Sequence, residues 1–224
     1  VQGTSAINTT TVTTNGTQRW NGSVTLGANP TLTGTTVTFE STVSNTVART
    51  LAIIGNAAFN GIVGGGTTAL AEVSVSESSE INTTAISTTG DQTYSDSILI
   101  TGNPLTITAV GDLTCSSTID GDVDLVLDVD GSTQITGAVG ANTGSNNGLG
   151  DGTGASITIN STGATTFAST LTTTSGISQV NGAGAITFRD DVSIMTANTA
   201  TTLYGSVSFD SATTDAIPFT SAGA

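Results

Sequence analysis

A chain of 224 residues with 17 carboxylates against three arginines, and with neither lysine nor histidine, carries a formal charge of −14. That balance excludes the clustered cations on which phosphate-backbone binding depends, so no nucleic-acid partner is expected. Charged residues make up 9% and aromatics 4%, while Thr, Ser, Gly and Asn dominate around evenly spread Val and Ile, a mixture that opposes helix and suits a pleated sheet.

From the amino terminus onward the apolar residues alternate. Val24-Thr-Leu26, Val37-Thr-Phe39, Leu51-Ala-Ile53, Val73-Ser-Val75, Ile157-Thr-Ile159, Ile186-Thr-Phe188 and Val207-Ser-Phe209 each read as a short strand with one face inward. Gly, Asn and Asp clusters between them supply turns, and no helix-period stretch interrupts them. The fold class is therefore all-β. A hydrophobic content of 36% argues against disorder. The longest apolar run, Leu51-Ala-Ile-Ile54, falls far short of the roughly 18 to 20 residues of a membrane span, so membrane insertion is not expected. The chain opens on Val1 without a signal-like segment and reads as a processed product or excised fragment; secretion to the cell surface or beyond is an expectation from composition.

The chain repeats itself. Residues 7–20, Ile-Asn-Thr-Thr-Thr-Val-Thr-Thr-Asn-Gly-Thr-Gln-Arg-Trp, align without a gap on residues 81–94, Ile-Asn-Thr-Thr-Ala-Ile-Ser-Thr-Thr-Gly-Asp-Gln-Thr-Tyr, at an offset of 74. The match continues through Val24-Thr-Leu26 onto Ile98-Leu-Ile100 and through Asn29-Pro30 onto Asn103-Pro104. A third copy begins at Phe167, at an offset of 86 from Ile81, and Gln179 to Gly182 echo Gln18 to Gly22. The added length lies in Gly140 to Gly154, whose Gly and Asn content marks a loop. The expected organisation is one continuous segment over residues 1–224, with a tail at 1–14, units at 15–88 and 89–174, and a partial unit at 175–224. Repeats of about 74 to 87 residues fit either a parallel β-solenoid with several coils per repeat or tandem immunoglobulin-like sandwiches. No large core anchor survives from Trp20 to Tyr94 to Val180, and no Pro-rich boundary separates units, which favours the solenoid. At on the order of two dozen residues per coil, some nine coils would span roughly 40 to 45 Å.

The chemistry-bearing residues are few. Without histidine or lysine the usual general base, His-dependent triads and a Schiff-base lysine are missing, so no enzyme is expected. Only carboxylate chemistry remains, and the adjacent Asp190 and Asp191 share a site only at a turn. In the run Asp120-Gly-Asp122-Val-Asp124-Leu-Val-Leu-Asp128-Val-Asp130, alternation sets Asp122 with Asp124, and Asp128 with Asp130, opposite a Val and Leu face. These four are the candidate ligands for a weak calcium site, the one cofactor considered, although the spacing matches neither an EF-hand nor a calcium β-roll; the competing reading is a solvated acidic face. Thr9 to Thr14 and Thr35 to Thr38 raise ice binding by stacked threonines as a further reading, at irregular spacing. Asn8, Asn15, Asn21, Asn82 and Asn160 fit the glycosylation sequon. The lone Cys115 reads as a small buried hydrophobe.

The runs Thr13-Thr-Asn-Gly-Thr-Gln-Arg-Trp20-Asn-Gly-Ser-Val-Thr-Leu-Gly and Ser87-Thr-Thr-Gly-Asp-Gln-Thr-Tyr94, followed by Val37-Thr-Phe39 and Leu51-Ala-Ile-Ile54-Gly, resemble the repeats of large filamentous-haemagglutinin-type bacterial adhesins over most of the chain. The resemblance implies a right-handed parallel β-helix forming an extended shaft on or outside the cell; the amino-terminal secretion domain of such proteins has no counterpart here. The expected role is a stalk or fibre segment. Its partners are further repeats of the same polypeptide or end-to-end copies, since strand alternation runs close to both ends. The alternative is a carbohydrate-binding or adhesive module with a glycan or cell-surface ligand on an exposed face or on the Gly140 to Gly154 loop.

Overall fold

Apolar–polar–apolar triplets such as Val24–Leu26, Leu113–Cys115 and Ile186–Phe188 become three-residue strands that bury their two ends and turn the middle residue outward. Such a strand buries too little apolar surface to stand alone; stacking like strands in register supplies the missing core. In the computed structural model, which describes residues 1–65, 68–102, 104–141, 148–195, 200–210 and 218–221, the strands stack as a parallel β-solenoid of about nine turns with roughly 21 residues per turn. Every pair among the described strands is parallel and no helix occurs among them, which rules out the antiparallel sandwiches.

Three strands make one turn, and so the molecule has three faces. The first face stacks Ser5–Ile7, Val24–Leu26 and Val43–Asn45, then Val63, and then Ala85–Thr88, Leu105–Ala109, Leu125–Val129, Ala155–Ile159 and Gly176–Gln179. The second runs from Thr11–Thr13 through Gln92–Tyr94, Leu113–Cys115 and Thr133–Ile135 to Val207–Phe209. The third runs from Gln18–Trp20 through Ser79–Ile81, Ile98–Ile100 and Ile119–Asp120 to Phe219–Ser221. Thr31–Phe39 and Thr50–Phe59 bend around the corner between the second and third faces and serve both. One core cluster extends from Ile7 to Val192.

Like residues lie above like inside this core. Trp20, Phe39 and Phe59 stack along the third face with ring centroids 6.5 and 5.9 Å apart. Phe167, Phe188 and Phe209 do the same on the second face at 5.5 Å per step. Between those columns, Tyr94 and Cys115 fill the second-face column, and burial pushes the Cys115 thiol up to about 12. The corner between first and second faces is a glycine column: Gly111 donates to the Gly90 carbonyl and Gly131 to that of Gly111. A Cβ on Gly163 would overlap the Gly131 carbonyl, so backbone stacks on backbone there and only glycine fits. Beside it the Asp91 carboxylate accepts the Asp112 N–H at 2.8 Å, and Asp112 accepts that of Ser132 at 2.7 Å.

The sequence repeat does not match a whole number of turns. Ser5–Ile7 on the first face corresponds to Ser79–Ile81 on the third, which corresponds in turn to Thr165–Phe167 on the second. Each copy is eleven strand positions after the last, bridges included, and so lands one face back. The buried glutamines show the rule: Gln18 lies on the third face, Gln92 on the second and Gln179 on the first. The loop near the end of each unit obeys it as well. Val63 bridges its neighbours on the first face, Gly64 turns left-handed at φ 73°, and Leu70 rejoins the stack opposite Thr88. Val139 on the third face, Gly140 at φ 67° and Leu149 opposite Thr173 repeat that arrangement around a longer loop. The insertion expected at Gly140 to Gly154 is thus an enlarged version of a feature the preceding unit already has; its residues 142–147 lie outside the described set.

Candidate functional site

The acidic run keeps its alternation. Val123, Leu125, Leu127 and Val129 are buried, while Asp128 and Asp130 are exposed and Asp122 and Asp124 half-buried. At about 3.3 Å per residue, the extended stretch from Asp124 to Asp128, most of it in the strand Leu125–Val129, sets the backbones of the two pairs about 13 Å apart, so the four do not converge. Asp130 accepts the Thr162 hydroxyl at 2.8 Å, and Asp124 accepts the Asp151 N–H at 3.4 Å. Desolvation raises the Asp124 pKa, the Asp151 N–H opposes that, and the Asp151 charge adds to it. Among the described residues no group of three or more His, Cys, Asp or Glu is arranged to hold a metal. Asp190 and Asp191 lie in the exposed turn before Val192–Ile194, where Asp190 accepts the Asp191 N–H at 2.8 Å.

The threonine arrays are irregular in sequence but regular in space. On the second face Thr11, Thr31, Ala52, Ser74, Thr93, Thr114, Gln134, Thr166, Thr187 and Ser208 form one outward column in register. Thr38, by contrast, faces outward on the third face. Asn8, Asn15 and Asn82 are exposed, whereas Asn160 buries its side-chain oxygen.

Concavity lies on the third face. A cavity of about 450 Å³ is lined by Ser78, Ser97 and Thr118 in one column and by Glu80, Leu99 and Asp120 in the next. A second, of about 610 Å³, lies farther along the same face between Gly140, Thr170, Thr172, Asp191, Ser193 and Met195. The two share their columns: backbone bonds of 2.8 to 3.0 Å link the rungs from Ser78 through Ser97, Thr118, Ala138 and Thr170 to Asp191. Glu80, Leu99 and Asp120 are register neighbours in three successive rungs. Leu99 is 43% exposed between the two carboxylates, and Asp120 is only 8% exposed.

Sequence reasoning did not single out this strip. The signal was Ile98-Leu99-Ile100, three large aliphatic residues in a row: two of them face the core and the third has to face out, as Val126 does in Leu125-Val-Leu127. The first of the two cavities meets the Ser79–Ile81, Ile98–Ile100 and Ile119–Asp120 strands, and the second opens next to Gly140, where the longer loop leaves the stack. No family model, no curated protein and no solved structure matches the chain.

Proposed function

We propose that the chain is a structural shaft, a length element of a secreted or cell-surface adhesin-like protein, and not an enzyme. The observation that carries this reading is the single core cluster from Ile7 to Val192, built of parallel rungs stacked on the same three faces. A stack of that kind transmits position along its axis and can be lengthened by adding rungs. The lack of histidine and lysine supports the non-catalytic part, and the resemblance of the Thr13 and Ser87 runs to filamentous-haemagglutinin-type repeats supports the setting. Val207–Phe209 and Phe219–Ser221 pair on one side only among the described strands, and Phe209 is 49% exposed. Such an edge takes the next rung from further coils of the same polypeptide or from a second copy stacked end to end.

Duplication tests the reading. A second copy of residues 89–174 placed after residue 174 adds eleven strand positions. At about 4.8 Å per rung and three strands per turn, the rod should lengthen by about 18 Å in small-angle scattering with its melting temperature held. A chain that unfolds, or that stays the same length, contradicts the shaft.

A further inference from the structure

We infer that Asn15 and Asn181, each followed by a glycine at a corner of the rod, are sites of spontaneous covalent modification, where the asparagine side chain closes on the backbone and reopens as aspartate or isoaspartate. This goes beyond the length-element reading, which leaves the chemistry of the corners open.

Five asparagines precede a glycine, namely Asn15, Asn21, Asn60, Asn147 and Asn181, and all but Asn147 lie among the described residues. A following glycine matters because it puts no Cβ beside its own backbone nitrogen. That nitrogen attacks the asparagine Cγ. The new N–C bond forms as the Cγ–Nδ2 bond breaks, and ammonia leaves with the glycine's proton, which gives a succinimide. Water then adds to one ring carbonyl or the other. Opening on one side yields aspartate; on the other it yields isoaspartate, whose main chain runs through Cβ. Closure needs a side chain free to turn back on the main chain and a glycine peptide free to rotate, so the surroundings of each pair set its rate.

The structure separates the four described pairs. Asn60 donates from Nδ2 to the Glu40 carboxylate at 2.9 Å, and a Cβ on Gly61 would overlap the Ser41 backbone. Asn21 accepts the Arg19 Nε–H at 3.2 Å, and a Cβ on Gly22 would overlap the Gly3 backbone. Asn15 and Asn181 are exposed, and neither side chain has a hydrogen-bond partner among the described residues. Nothing lies within 4 Å of a Cβ placed on Gly16 or Gly182. Asn21 and Asn181 make the sharpest contrast, because both come shortly after the buried glutamine of the repeat, Gln18 in one copy and Gln179 in the other.

Both free sites lie between strands. Asn15 falls between Thr11–Thr13 and Gln18–Trp20, and Asn181 between Gly176–Gln179 and Ile186–Phe188. The extra main-chain carbon and the new negative charge therefore land on a corner and leave the paired rungs as they are.

Incubation of the folded chain at mildly alkaline pH, followed by peptide mapping that distinguishes asparagine, aspartate and isoaspartate, tests this. Asn15 and Asn181 should convert at least tenfold faster than Asn21 and Asn60, with the circular dichroism unchanged. In urea that unfolds the chain the four rates should converge. Gly16→Ala should slow conversion at Asn15 at least tenfold and leave Asn181 unaffected. No conversion at Asn15 or at Asn181, conversion of Asn21 or Asn60 as fast as theirs in the folded chain, a spread of rates that persists in urea, or a Gly16→Ala chain that converts like the parent overturns the inference.

Discussion

Gln18 and Gln92 occupy the same place in two copies of the repeat, yet only one of them is fully satisfied. Both bury the side chain and donate from Nε2 to the carbonyl six residues back, Val12 at 3.1 Å and Ile86 at 3.4 Å. Both reach the next rung as well, at Thr33 (2.8 Å) and Thr108 (2.9 Å). The Gln92 Oε1 then accepts the Tyr94 hydroxyl at 3.1 Å, whereas Gln18 Oε1 and the Trp20 indole N–H are both buried without a partner. Gly16 and Gly90 differ in the same sense. A Cβ at Gly16 meets nothing within 4 Å, while one at Gly90 lies 2.6 Å from the Ala71 carbonyl of the rung below. The two copies thus differ in energy for two reasons: the motif ends on Trp20 in one and on Tyr94 in the other, and what the neighbouring rung places against each glycine differs.

That comparison can be broken by paired substitutions. Tyr94→Ala removes a fully buried ring and should cost about 3 to 5 kcal/mol, and Trp20→Ala, at a partly buried site, distinctly less. Equal losses in denaturant unfolding would mean that the first copy is packed as deeply as the second. Gly90→Ala should cost about 1 to 3 kcal/mol by forcing rungs apart, while Gly16→Ala should be neutral or stabilise by about 0.5 kcal/mol through the unfolded chain. Melting temperatures that fall alike for both would remove the distinction. Gln92→Ala strands two carbonyls and a tyrosine hydroxyl and should cost about 1 to 3 kcal/mol, more than Gln18→Ala.

The smallest effect is at Asp124, whose counterpart one unit earlier is the uncharged Thr50. An aspartate with a folded-state pKa above its unfolded value opposes folding when ionised. The cost is fully present above the raised value and disappears as pH falls through it to the unfolded pKa. Asp124→Asn should therefore raise the melting temperature slightly at pH 7 and leave it unchanged below about pH 3.5. A larger gain at acid pH would show the opposite linkage.

Much of the fold was legible because alternation has a period of two and repeats align by eye. Val24-Thr-Leu26 and Ile186-Thr-Phe188 are strands with the expected burial, and parallel stacking follows from like residues recurring. Turn length was less legible: corners such as Gly55, where one strand bends across two faces, carry no fixed spacing, so two dozen residues per coil stood in for roughly 21. The one-face step between copies was hidden because three-residue strands look alike on every face. The acidic run drew attention by composition, but Leu125–Val129 extends it along the rod rather than gathering it. The third-face strip joins residues from Ser78 to Asp191 across several turns, and only register brings them into one column.

The central claim, a single in-register stack, is tested most directly by a distance along one face. Cysteines placed at Thr31 and Thr187 lie in the same outward column, seven rungs apart by register. Cys115, buried with its thiol pushed up to about 12, should stay unlabelled. Pulsed electron-spin measurements on the doubly labelled chain should give one narrow distribution centred between about 30 and 40 Å. A broad distribution, or one centred below about 20 Å, would contradict the stack.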